Sequence, residues 1–299
     1  MSVLGVGSVA LDTIETPFGR AEEVLGGSAS YFSYAASLFT AVRLVGVVGE
    51  DFPAEHVEAF RRRGIDVTGL IRQPGKTFRW RGRYQGAMNV AETLEVHLNV
   101  FGEFRPVVPP AYRDTEFVFL ANASPQAQLE VRRQMTSARL VVADTMNFWI
   151  ANDRQGVLAL LGEVDGLVVN DQEVRQLTGV ENLVSAAREI LRLGPRLVVV
   201  KKGEHGSMLV TAAGLFFLPA YPTTDVKDPT GAGDSFAGGM MGHLARTASV
   251  TEAALRKALA YGTVVASLTV EDFSLRRLAE SRLEEVEQRV AELEQMTRL

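Results

Sequence analysis

The feature that most constrains the fold is a rhythm that begins near Phe117. Short, wholly apolar runs at 117–121, 140–143, 167–169 and 197–200 alternate with amphipathic stretches at 125–135, 152–161 and 171–193, the last broken at Thr178-Gly179. A run apolar at every position reads as a strand buried on both faces, and such strands belong to parallel sheets whose crossovers are helices. Right-handed βαβ connection then places helices on both sides of one sheet. The 117–200 segment therefore predicts an α/β sandwich of three layers.

The amino-terminal third has a different texture. Residues 3–9 read as a strand, 28–38 as a helix, 44–48 as a second strand and 54–63 as a second helix. From Thr77 to His97 helical periodicity disappears, and Phe78, Trp80, Tyr84, Val90, Thr93 and Val96 suit half-buried strands. These segments predict one domain over 1–299, with a small β lid formed by about 13–24 and 75–100. Exposed strand edges seek partners, so the lid is also the expected contact in a homodimer. Residues 275–299 carry Leu278, Val286, Val290 and Leu293 among Glu and Arg, the pattern of a helix docked on the domain's own surface.

Composition excludes several function classes. The chain has 299 residues, 46% apolar and 22% charged, with a formal net charge of -5. Acids and bases are interleaved, without the basic stripe of a nucleic-acid binder. Cysteine is absent, which removes thiolate catalysis, cysteine-ligated metals and a disulfide framework. The four His residues have no ligand spacing to one another. The start Met1-Ser2-Val3-Leu4-Gly5 lacks a basic n-region, and no apolar run is long enough to cross a bilayer. A soluble cytoplasmic protein is expected.

The sharpest chemical signal is the string Asp228-Pro229-Thr230-Gly231-Ala232-Gly233-Asp234-Ser235-Phe236-Ala237-Gly238-Gly239. Pro229 opens a loop, Gly231 and Gly233 allow close backbone approach, and a helical pattern starts near Gly233. A glycine loop feeding a helix aims free N–H groups and the positive dipole end at an anion. Asp234 as a simple cap would not explain two glycines clearing space beside it. The combination suits phosphoryl transfer to an alcohol, where positioning and electrostatics supply most of the catalysis. The N–H groups of Gly231, Ala232, Gly233 and Asp234 are expected to hold the phosphoryl. The Asp234 carboxylate is expected to take the hydroxyl proton, with the helix terminus favouring its ionised form.

This signature resembles that of the ribokinase-like (PfkB) carbohydrate and nucleoside kinases, and the resemblance covers nearly the whole chain. Gly26-Gly27-Ser28-Ala29 with 44–52 is similar to the family's substrate-side motif, Asn170-Asp171-Gln172-Glu173 to its Asn-x-x-Glu motif, and 199–206 to its nucleotide-side strand and turn. The resemblance implies a ribokinase-like fold and an ATP- and Mg2+-dependent kinase acting on a hydroxyl of a sugar, nucleoside or cyclitol. It further implies that Asp12, Gly27 and Ser28 grip the acceptor, and that Asn147, after the second strand run at 140–143, lines the same cleft. Asn170, Glu173, Lys201, Gly203 and Gly206 fall on the nucleotide side, with Glu173 reaching Mg2+ through water. Asp228, six residues before Asp234, stands where relatives that use a monovalent cation supply a carboxylate, which extends the expectation to K+.

Each residue also has a plainer reading. Asn170 and Glu173 have the spacing of a capping box. Asp12 and Asp228 are ordinary turn residues beside Pro17 and Pro229. Lys201 and Lys202, where relatives commonly have Thr and an apolar residue, either reach phosphates or stand in solvent, and Arg79 and Arg81 are expected to face solvent. Gly5-x-Gly7-x-x-Ala10 imitates a dinucleotide fingerprint, but the sequence after it does not start a helix, so an NAD site is rejected. The rival function is a sugar or nucleotide sensor that keeps the kinase fold without turnover.

Overall fold

The computed structural model describes residues 1–298. In chain order its strands are β1 (Ser2–Val6), β2 (Ala10–Thr16), β3 (Gly19–Gly26), β4 (Ala41–Gly49), β5 (Ile65–Gln73), β6 (Phe78–Tyr84), β7 (Ala91–His97), β8 (Phe117–Leu120), β9 (Leu140–Asp144), β10 (Gly166–Asn170), β11 (Leu197–Lys201), β12 (Ser207–Thr211) and β13 (Gly214–Leu218). The helices are α1 (Ser28–Ala36), α2 (Ala54–Arg62), α3 (Pro125–Gln134), α4 (Asn147–Asn152), α5 (Arg154–Leu161), α6 (Asp171–Thr178), α7 (Leu183–Arg192), α8 (Ala232–Thr247), α9 (Glu252–Thr269), α10 (Arg276–Glu280) and α11 (Leu283–Met296).

Among the described residues, nine strands form one sheet in the order β13-β12-β11-β10-β9-β8-β1-β4-β5. From β11 to β5 every pairing is parallel, while β12 and β13 add an antiparallel edge hairpin. Alternation along the strands divides the core. Val3, Leu44, Phe117 and Phe119 pack under α1, α8 and α9, whereas Leu4, Val45, Val118 and Leu120 pack against α3, α5 and α7. This is the expected three-layer arrangement. Chain order reverses between β1 and β8, the position at which open α/β sheets bind ligands beyond the carboxyl ends of their strands.

Four strands make a separate small sheet, β3-β2-β6-β7, in which β2 and β6 run parallel and the outer pairs antiparallel. It starts earlier than the sequence suggested, because β1 ends at Val6 and the chain bends at Gly7 on its way into β2. That bend also disposes of the dinucleotide imitation: β1 leads into another strand, and Gly5 and Gly7 lie against Phe32 and Ala121. Arg79, Arg81 and Arg83 occupy the outer face of the small sheet, where Arg81 and Arg83 pair with Glu15 and Arg79 pairs with Glu23 and Asp51. The amphipathic carboxyl-terminal segment is split at Ser281 into α10 and α11, and Leu278, Val286, Val290 and Leu293 are buried on the main core. No helix among the described residues is long and apolar enough to cross a membrane.

Candidate active site

The signature loop enters α8 as its residue types require. Gly231 is the N-cap, with φ +72°. A side chain there would be strained in the left-handed region and would drive its Cβ into the ring of Tyr31. Among the described residues no side chain caps α8. The Ala232 N–H turns back onto the Pro229 carbonyl at 3.2 Å, so the first turn presents chiefly the N–H groups of Gly233 and Asp234. Asp234 itself sits on that turn, half-buried.

Its ionisation differs from the sequence expectation. Burial, then the neighbouring Asp144 carboxylate, raise Asp234 to about 7, against the opposing pull of Lys201 and of its own backbone N–H. Desolvation outweighs the helix terminus because a dipole end offers a fraction of a charge, while loss of water penalises the whole carboxylate.

Asp144 ends β9 and its position is pinned. The Gln128 side-chain amide donates to the carbonyls of Leu120, Ala121 and Asp144 at 2.9, 3.1 and 2.8 Å, tying β8 to β9, and the Thr145 N–H donates to Asp144 Oδ1 at 2.8 Å. Lys201, the last residue of β11, reaches over the end of β10 to bring Nζ within 3.5 Å of Asp144 Oδ2. Glu173 completes the group. Burial and then Asp144 raise it to about 7, despite Lys201 and the Asn170 N–H. The capping box is present in full: Asn170 Oδ1 accepts from the Glu173 N–H and Glu173 Oε2 from the Asn170 N–H, each at 2.8 Å. Gly203 and Gly206, with φ of 54° and 82°, close the turn after β11, where the Lys202 N–H donates to the Gly206 carbonyl.

On the other side of Asp234 lies a second acidic group. Asp12, on β2, is 4% exposed, and its Oδ2 accepts from the Gly27 N–H at 3.3 Å. Gly26 is the close approach here, since any Cβ would overlap the Asp12 carboxylate. Burial raises Asp12 to about 7; the Gly27 bond opposes, and Asp228 and Asp234 add to the rise. Asp228 is more deeply buried, accepting from the N–H groups of Thr230 and Ser274 at 2.9 and 3.0 Å. It therefore ties the signature loop to the segment after α9. Tyr31 is raised well above the usual phenol range by burial, then by Asp228, Asp12, Tyr84 and Asp234, which puts all five groups in one neighbourhood. Its hydroxyl has no hydrogen-bond partner among the described residues.

Two further expected residues have hydrogen-bond partners of their own. Ser28 shares a 3.0 Å hydrogen bond with Ser8 Oγ and donates to the Asn122 carbonyl at 3.4 Å, so its hydroxyl serves the β1–β8 junction. Asn147 is exposed at the start of α4, with Oδ1 accepting from the Phe148 N–H at 2.9 Å. Asn122, which the sequence did not single out, is half-buried beside Ser28 and accepts from Trp149 Nε1 at 2.9 Å. Its place, one residue past the first run of the 117–200 rhythm, was the available signal.

The small sheet meets the signature loop and the turn after β11. Thr230 Oγ1 donates to the Tyr84 hydroxyl at 3.3 Å, and Asn89 Nδ2, in the β6–β7 loop, donates to Glu204 Oε1 at 2.8 Å. Asp12 and Trp80 are register partners and so share the sheet's inner face.

Comparison with known proteins agrees with this arrangement. The model of the pfkB family carbohydrate kinases matches residues 11–282. The chain belongs to that family. The cytidine kinase of Thermococcus kodakarensis is 30% identical over 252 residues, covering 82% of this chain and 89% of that one. Among solved structures, Burkholderia thailandensis nucleoside kinase in complex with inosine superposes with a TM-score of 0.82 at 19% identity, over 99% of this chain and 98% of that one. Aminoimidazole riboside kinase from Salmonella enterica, complexed with aminoimidazole riboside and an ATP analog, gives a TM-score of 0.79 at 21% identity, over 97% and 100%. Membership makes this chain a ribokinase-like phosphotransferase of sugar or nucleoside type.

Proposed function

We infer that this pfkB-family chain transfers the γ-phosphoryl group of ATP to a hydroxyl of a riboside, a ribose carrying a heteroaromatic base, with Asp234 as general base. The observation that carries the reading is the first turn of α8, where an uncapped helix terminus and a half-buried carboxylate of raised pKa occupy the same few ångströms. A carboxylate near 7 takes a proton more readily than an ordinary one, yet is still substantially ionised at neutral pH.

Asp12 supplies the acceptor side. A buried carboxylate is a two-oxygen acceptor for a vicinal diol, and the unpartnered Tyr31 hydroxyl adds a donor in the same neighbourhood. Trp80 supports the riboside over a free sugar. Of the three small-sheet aromatics, Phe78 is stacked on Phe101 with ring centroids 5.4 Å apart, and Tyr84 is tied to Thr230. Trp80 lies flat over Gly82 beside Asp12, with Nε1 donating to Thr93 Oγ1 at 3.2 Å. A ring held flat next to a diol site is a surface on which a base can stack. The cytidine and inosine associated with the relatives agree with that assignment.

The residues present also fit Mg2+ brought in by the nucleotide. Among the described residues no three His, Cys, Asp or Glu are grouped as a metal cage. Mg2+ prefers one or two carboxylates plus waters and substrate phosphates, and Glu173, with Oε1 left over from the capping box, suits that role. Bound there, the ion would neutralise phosphate charge. Asp228 is the candidate carboxylate for K+. The outer strands β3 and β7 of the small sheet have no further strand partner among the described residues, which supports pairing of two copies at that sheet. The contacts Tyr84–Thr230 and Asn89–Glu204 support closure of the small sheet as a lid, which keeps water from competing as acceptor.

The test is ADP release with Mg2+ and K+ against a panel of ribosides, free sugars and inositols, run beside Asp234→Asn. Riboside-dependent release that drops by a factor on the order of 10³ in the variant supports the reading. Equal rates in wild type and variant remove Asp234 as the base.

A further inference from the structure

We propose that Lys201 is a catalytic residue, a built-in cation that leaves Asp144 for an oxygen of the transferring phosphoryl group. The inference rests on the kinase reading above and concerns a residue which that reading leaves without a role.

Lys201 is placed like a ligand-directed group. It ends β11 at the carboxyl edge of the sheet, and its side chain is 17% exposed. Its Nζ stands 2.8 Å from the point where a Cβ on residue 233 would be, so the ammonium rests on the first turn of α8. A Cβ at 233 would oblige the ammonium to shift. The ammonium therefore converges with the N–H groups of Gly233 and Asp234 on one small volume, immediately beside the proposed base.

Its pairing is loose. Among the described residues Asp144 is its one carboxylate partner within 4 Å, at 3.5 Å, whereas a well-formed ammonium–carboxylate bond is about 2.7–2.9 Å. A lysine present only to neutralise Asp144 would close that bond. Stability gives no reason for the pair either, since a buried ion pair is often no better than an apolar pair of equal volume. The carboxyl groups of Asp144, Glu173 and Asp234 all act on this single cation, and in their ionised forms they repel an entering triphosphate. A mobile positive charge at the point of transfer offsets it. Although burial opposes the charge, Asp144, Glu173 and Asp234 together raise the lysine above its ordinary value, so it remains an ammonium at neutral pH.

In the transfer, the bond from γ-phosphorus to the bridging oxygen of ATP breaks and a bond to the acceptor oxygen forms. The acceptor proton passes to Asp234, and ADP leaves with the bonding electron pair. Lys201 keeps all its protons and contributes charge and N–H donors to the equatorial oxygens. Asp144 is a positioning residue that holds the ammonium until the γ-phosphoryl arrives and competes with it.

Calorimetry with the Mg2+ complexes of ADP and of the non-hydrolysable analogue AMP-PNP tests this without an acceptor. Lys201→Met should weaken AMP-PNP at least tenfold and ADP less than threefold, and lower kcat about 100-fold with little change in the acceptor KM. Equal losses for both nucleotides, or no loss for either, would make Lys201 a structural counter-ion and overturn the proposal. Asp144→Asn gives an independent reading should Lys201→Met fail to fold. Freed from its competitor, Lys201 should raise the preference for AMP-PNP over ADP at least threefold, and an unchanged or smaller preference counts against it. A wild type that binds both nucleotides but phosphorylates no acceptor would refute the kinase reading alone, because the nucleotide comparison still decides the fate of Lys201. Wild type that binds neither would remove both.

Discussion

Replacing Asp12 by Asn should stabilise this protein at alkaline pH and do so less and less as the pH falls. Asp12 is 4% exposed, and its folded-state pKa is raised from 3.8 to about 7, first by burial and then by Asp228 and Asp234. The folded state therefore holds a proton that the unfolded state has released, throughout the interval between about 4 and about 7. Stability falls with pH wherever the folded state binds more protons, so the wild type gains stability as the pH drops from 7 towards 4 and loses it on the way up. Each pH unit in that interval is worth about 1.4 kcal/mol. From pH 8 to pH 5 the carboxylate of Asp12 should thus contribute about 3 kcal/mol, as an upper figure. Asn keeps an oxygen that can accept from the Gly27 N–H and has no charge to desolvate. Urea unfolding of wild type and Asp12→Asn at pH 8, 7, 6 and 5 reads the difference directly, since every other titrating group is common to both chains. The variant's advantage should be largest at pH 8 and shrink by about 3 kcal/mol by pH 5, while its phosphotransfer to polyols is lost. A stability difference that stays constant across the series would refute the raised pKa and, with it, the picture of a carboxylate kept dry at a cost to the fold.

The pH profile of the wild type should show the same groups from the side of activity: Asp234 must be ionised to act as base, so kcat/KM should fall below about 7 with a slope that approaches tenfold per pH unit, and a flat profile down to pH 5 would contradict it. Glu173→Gln keeps an oxygen for the capping box but removes the charge, and should raise the Mg2+ concentration needed for half-maximal rate about tenfold while the melting temperature at pH 8 rises, since a carboxylate raised to about 7 by burial is removed, checked by Mg2+ titration and calorimetry. Gly231→Ala places a side chain in the left-handed region and into the Tyr31 ring, and should cost at least about 1–2 kcal/mol of stability together with nucleotide affinity. Thermal unfolding with and without ADP measures both.

The candidate site was partly legible before the fold was known. The string from Asp228 to Gly239 announced a glycine-bounded helix start, and α8 begins at Ala232 as that chemistry requires. Asn170 and Glu173 were readable as a capping box because both partners lie within one helical turn. The hairpin of β12 and β13 escaped notice, since two five-residue strands at a sheet edge leave a short pattern that the surrounding turns obscure. Asn147 was named for its place after a strand end and Ser28 for its place after the glycine pair, and only the structure shows Asn147 Oδ1 accepting from the Phe148 N–H and the Ser28 hydroxyl bonded to Ser8 and Asn122.

What the chain alone determined, then, was whatever repeats or closes within a few residues: buried strands as unbroken apolar runs, crossover helices by their period, caps and turns by Gly, Pro, Asn and Asp. These rest on backbone geometry, which each segment carries with it. What only the tertiary structure decided was charge. Lys201 and Asp144 are separated by 57 positions and by the width of β10, and no local pattern foretells that the lysine reaches over that strand to the third residue, Gly233. The same holds for Asp234, which a helix terminus by itself would keep ionised and which burial beside Asp144 raises instead. Desolvation and Coulomb terms depend on everything packed around a group, so they become definite only when the sheet, the helices and the small sheet have closed on one another.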